Sequence, residues 1–316
     1  NYVAQELQDS VGSSSQDSIE SNREAALATY LGQPDGKEMK GRSTVISTDV
    51  ADAIEWIMPE VVKAFTQNNE VVTFDATASG DEDQAELESQ YVYDILMKDN
   101  NGFIVIHQFI KDALLQKNGF IKTFYEKKEH VRKEEYTGLT EYELNVVLMD
   151  ENVEMTSISE YIVDGIPYYD MQVARKNSKG KVCVISVAPE DFRVNRNHNS
   201  VDLSTARFTA HVYVTTAGEL IDSGYDPEIV DSIKTLAVDS SDRMYRFYMQ
   251  GESAINDANI TGDASQRPVE IAECYMHVDI DDDGIAEFVK VTVAGGDEPD
   301  VILDIEEIDE NPFISS

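Results

Sequence analysis

The sequence predicts an α+β protein: a helical N-terminal part, then a larger and mostly antiparallel β part. Three observations predict it. Up to Asn118, apolar residues recur at three- and four-residue spacing, as on helices with one buried face. From Gly119 onward the period changes to two, as in half-buried strands. Hairpin signals then join neighbouring runs, among them Asn177-Ser178-Lys179-Gly180 and the acidic turn after Val278. The boundary divides the chain into 1–118 and 119–316.

In order, residues 1–22 are rich in Ser, Gln and Asp and are expected to be loosely ordered without a partner. Ser21 or Asn22 caps a short helix that ends at the turn cluster Gly32-Gln33-Pro34-Asp35-Gly36. Ser47 and Thr48 then offer caps to a helix over about 48–67, with Asp49 and Asp52 in its first turn. Its apolar face includes Val50, Ile54, Ile57, Met58, Val62 and Phe65, and is expected to be buried. Pro59 kinks that helix or ends its first half. A strand and loop follow at 68–78. A helix reaches Lys98, and another spans Phe103–Lys117.

The strand runs are Phe120–Tyr125, Ile158–Ile166, Tyr168–Lys176, Lys181–Val187 and Ala206–Thr215. Thr216 caps a short helix, and Pro227 opens another that runs to about Ala237. Residues 239–267 form a polar excursion. Val269–Val278 and Ile285–Ala294 make a hairpin, and Val301–Ile305 adds a strand.

At 316 residues and 41% hydrophobic content, the chain can bury a core. No apolar run approaches the roughly 18–20 residues of a membrane span, and no signal-peptide pattern is present. Asn1 is no translation start and residues 311–316 hold no terminal cap, so a longer parent protein is expected. Cys183 and Cys274 lie in apolar runs and read as buried free thiols of a reducing compartment. The five histidines lack ligand spacing. The net charge of −36 argues against binding nucleic acid by phosphate neutralisation. An acidic wall would instead repel a sliding duplex. Residues 134–174 carry no Lys or Arg, whereas Lys111–Lys133 hold an interleaved basic patch.

One turn carries candidate site chemistry. Asp279, Asp281 and Asp283 alternate, Gly284 follows, and Glu287 stands at the ninth position of a calcium-loop pattern. Position twelve is Lys290 rather than glutamate, and strands flank the turn, so an EF-hand is excluded. A shorter hairpin loop holding Ca2+ through Asp279, Asp281, Asp283 and Glu287 survives, since a cation would relieve repulsion among the aspartates. Catalysis lacks a pattern: there is no nucleophile elbow, no His-Glu-x-x-His and no glycine-rich phosphate loop. A non-enzyme is expected.

Four blocks then share one resemblance. Gly41–Phe65 (GRSTVISTDVADAIEWIMPEVVKAF), Ala188–Asn195 (APEDFRVN), Gly218–Asp226 (GELIDSGYD) and Val278–Glu287 (VDIDDDGIAE) resemble, in order, segments of the portal proteins of short-tailed double-stranded DNA phages. The resemblance covers about residues 20–295 and implies the portal wing, with stem and clip largely after residue 316. It implies a structural subunit of a dodecameric ring at one capsid vertex, through which DNA is packaged and ejected. Coat and scaffolding protein, terminase and a tail adaptor would be its partners. The ring would be assembled in the host cytoplasm and carried in the virion. Arg42, Trp56, Pro59, Phe192 and Arg193 would be structural residues of the matching blocks. A second reading, from the acidic turn and composition alone, is a calcium-stabilised β-rich binding or adhesion module.

Overall fold

The computed structural model describes residues 2–10, 19–33, 46–67, 71–78, 80–150, 152–163, 165–233, 263–280, 283–295, 299 and 301–316. It is α+β, and it divides into two compact units. One comprises residues 1–123 and 184–316; the other is 124–183. A helix ends at Gln116 and the first long strand begins at Phe120.

The first unit opens with α1 (Tyr2–Ser10), inside the stretch expected to be loose. Burial explains it: Leu7 enters a core with Phe208 and Val291, and Arg207 donates to Glu6 at 2.7 and 3.0 Å. Helix α2 (Ile19–Tyr30) ends at Gly32, whose φ of 63° suits a residue without Cβ. Helix α3 (Asp49–Thr66) runs through Pro59 without ending there. Ser47, not Thr48, supplies the side-chain oxygen at its start, accepting from the Asp49 N–H at 3.3 Å. Only part of its apolar arc is covered. Met58 and Val62 pack on Ile110, while Val50, Ile57 and Phe65 are exposed. Residues 71–78 hold no strand, contrary to the pattern there. Helix α4 (Glu82–Tyr93) widens into a π-helical turn at Asp94–Asp99, and α5 (Gly102–Gln116) follows a left-handed Asn101.

Strand β1 (Phe120–Leu139) carries the chain into the second unit, where α6 (Glu141–Leu148), β2 (Val153–Val163) and most of β3 (Ile166–Val187) lie. The strand order there is β2-β3-β1. Strands β2 and β3 are antiparallel, with a bulge between Met155 and Ser157. They turn at Gly165, whose φ is +82°. The hairpin expected at 177–180 is absent, because β3 stays extended there. Bonds to β1 continue on both sides of that stretch: Arg175 meets Glu134, and the Cys183 thiol donates to Glu126 at 3.7 Å. Helix α6 was not anticipated. Its Thr140–Glu143 capping box satisfies the first turn, and Leu144 packs on Met171 and Val173.

Back in the first unit come β4 (Phe192–Val194), β5 (Phe208–Thr216), α7 (Ala217–Asp222) and α8 (Pro227–Ser232). Strands β6 (Pro268–Val278), β7 (Glu287–Ala294), β8 (Val301–Glu307) and β9 (Phe313–Ser315) complete it. Strands β4 to β8 form one antiparallel sheet in sequence order. Thr216 closes a capping box on Glu219, as its position before a helix foretold. One sheet face stacks Phe208, Cys274, Met276, Val289 and Val291 with Leu7. Leu220 of α7 and Val230 of α8 cover Val269, Ile271 and Ala294 on its opposite face. Each Phe, Met, Val, Leu or Ile among them contributes about 1.5–3 kcal/mol by leaving water. Strand β9, missed in the sequence, pairs its three residues with Lys122, Ile121 and Phe120 of β1.

Candidate functional site

The acidic turn joins β6 to β7. Ligand oxygens of Asp279, Asp283 and Glu287 all lie within 4.8 Å of one another. Asp281, the fourth expected ligand, lies outside the described residues. The turn also holds these carboxylates by its own backbone. Asp279 accepts from the N–H of Asp283 at 3.2 Å and of Gly284 at 2.8 Å. Asp283 accepts from Ile285 at 2.7 Å, and Glu287 from Ile280 at 2.9 Å. Gly284, at φ +89°, lets the chain fold back tightly enough for this. The donor set fits a hard cation, since three carboxylates supply up to six oxygens. The same oxygens already compensate backbone N–H groups, so the hairpin closes through side chain–backbone bonds in any case.

A second charged cluster lies inside the first unit. Lys122 is only 4% exposed at its side chain and forms an ion pair with Glu273 of β6. Its ammonium lies 5.5 Å from the centroid of the Tyr275 ring and 5.9 Å from that of Phe313. The Tyr213 hydroxyl donates to Glu273 at 3.4 Å. Burial opposes ionisation of Glu273, but Lys122 outweighs it, with Lys290 and His211 adding to the effect, and the carboxyl is held below its usual range. Burial, then Glu273, pushes the phenols of Tyr213 and Tyr275 and the Cys274 thiol up, so all three stay neutral. Sequence reasoning missed this pair, because 151 residues separate its members.

The other singled-out residues scatter. Phe192 is buried, stacking on Phe120 with ring centroids 4.0 Å apart and meeting Phe313 edge-on at 5.0 Å. The Arg193 guanidinium donates to the Glu190 backbone carbonyl at 2.6 Å. Pro59 sits within α3, and Trp56 is 84% exposed. Arg42 lies outside the described residues. Both cysteines are buried and neither forms a disulfide. Among the described residues no helix is long and apolar enough to cross a membrane.

An α+β chain with an acidic hairpin and four ordered sequence blocks falls within the class of phage portal proteins, and the comparison of families agrees. The matching family model is described as Phage SU10 portal protein; it spans residues 1–316, and the chain belongs to that family. No curated protein matches the chain.

Proposed function

We propose that this chain is the head-to-tail connector subunit of a phage, copies of which form a closed ring at one capsid vertex. The family match over the whole chain carries this reading. Genomic DNA passes through the ring during packaging and ejection, with no sequence-specific contact. The net charge of −36 suits that task, because carboxylates along a channel repel phosphate and keep the duplex moving. The ring is dodecameric, its interfaces are heterologous, and rotation closes them. Its partners are coat and scaffolding protein, a terminase that supplies the ATP-driven force, and a tail adaptor. The subunit contributes surfaces rather than chemistry, is assembled in the host cytoplasm and travels in the virion.

Native mass spectrometry and negative-stain imaging of the full-length protein test this. A ring with a central hole is expected; a monomer at micromolar concentration overturns it. A calcium-stabilised binding module is the second reading, favoured by the three convergent carboxylates of the β6–β7 turn. A monomer whose melting temperature rises with calcium would select it.

A further inference from the structure

The unit formed by residues 124–183 is charge-divided in a way the linear sequence only half reveals. Residues 134–174 hold ten carboxylates and no Lys or Arg. Residues 124–133 and 175–183 together hold eight Lys and Arg against two Glu. Pairing of β1 with β3 brings those two basic runs side by side, so one half of the unit is basic and the other acidic. Internal ion pairs mark the seam: Arg175 bridges Glu134 and Asp150, and Lys176 meets Glu154 at 2.9 Å.

Both halves expose apolar side chains among their charges. In the acidic half, α6 turns Leu144 inward, while Tyr142, Val146 and Met149 stay outside at i, i+4 and i+7. Tyr142 and Met149 are 78% and 81% exposed. In the basic half, alternation along β1 puts Tyr125, Lys127, Val131 and Lys133 on one side, all exposed. The acidic half therefore offers an exposed apolar stripe set among carboxylates, and the basic half an exposed apolar stripe interleaved with lysines.

Two acidic halves facing each other across a two-fold axis would repel. An acidic half meeting a basic half pairs different surfaces of identical copies, and that geometry propagates around a ring. We propose that residues 124–183 interlock neighbouring copies. The Tyr142–Met149 face of one subunit seats on the Tyr125–Lys133 face of a second copy of this chain. The inference rests on the ring reading above and names the contact within it.

The test is a charge exchange in the full-length protein, read by native mass spectrometry at fixed concentration and salt. Glu141→Lys with Glu160→Lys reverses the acidic half; Lys127→Glu with Lys133→Glu reverses the basic half. Each pair alone is expected to lower the ring population at least tenfold, and all four together to restore it, because every interface again joins opposite charges. Tyr142→Ser with Met149→Ser should weaken rings while leaving the subunit's melting temperature unchanged, since both residues are exposed. Rings of wild-type abundance in either reversed pair overturn the interlock, as does a quadruple variant worse than both. A wild type that forms no ring overturns the ring reading itself, which separates the two failures.

Discussion

The five-stranded sheet and the 124–183 unit are both antiparallel, yet they are held by different forces. In the sheet, β5, β6 and β7 are lined on one face by residues with almost no exposure, and even an ion pair has been taken out of water. In the 124–183 unit, β2 is exposed along nearly its whole length, and the buried apolar residues among the described ones are Leu144, Met171, Val173 and Cys183. The sheet's sequence is constrained by packing. The smaller unit's sequence is constrained by pairing, capping and charge, which leaves its surface available for a partner.

The largest effect that would sharpen this contrast lies in the sheet. Glu273→Ala strands the Lys122 ammonium inside, and denaturant unfolding should show a loss of about 3–5 kcal/mol. Replacing both partners with Met should recover most of it. A loss below about 1 kcal/mol would mean that water reaches Lys122. The pair also has a pH signature. The folded Glu273 carboxyl is held low, so its stabilisation is complete above the unfolded value of about 4.3 and fades as pH falls through the folded value. Melting temperature should drop below about pH 4, and Glu273→Gln should flatten that acid limb.

In the smaller unit, Gly165→Ala forces an alanine to φ +82° at the β2–β3 turn and should destabilise that hairpin by about 1–2 kcal/mol, seen as faster hydrogen exchange confined to β2. Exchange spread evenly over the chain would dissolve the contrast. Smaller still is Trp56→Ala on α3. At 84% exposure the indole contributes within about 0.5 kcal/mol to the subunit, so any loss should appear in ring assembly and not in the melting temperature. The acidic turn gives the last measure. Its calcium reading requires that millimolar calcium raise the melting temperature of chelated protein, and Asp279→Ala should abolish the rise. No shift in either protein removes that reading.

What could be read in advance follows the same line. Strands β5 to β8 and the Thr216 cap were legible, because strict alternation and turn residues coincide with burial there. In 124–183 the alternation is weak on both faces, so Asn177–Gly180 passed for a hairpin, although pairing to β1 holds it extended. The Thr140–Glu143 box was an available signal for α6 that the surrounding β pattern concealed. Helix α1, strand β9 and the Lys122–Glu273 pair depend on partners far away in sequence, and no local window contains them. On α3, periodicity identified the apolar arc correctly but could not say that a single subunit covers only part of it.

Strand β9 also sets a clock. Gly119 donates its N–H to the Ser316 hydroxyl across 197 residues, and Phe120 is covered in part by Phe313. At translation speeds of about 5–20 residues per second, the start of β1 waits roughly 10–40 s after leaving the ribosome for those partners. Lys122 waits somewhat less, for Glu273. Through that interval Phe120 and Ile121 form an apolar start to the strand that has been synthesised but not enclosed. A nascent chain stalled before residue 313 should therefore recruit holdase chaperones at β1, and a chain from which Phe313–Ser315 has emerged should not.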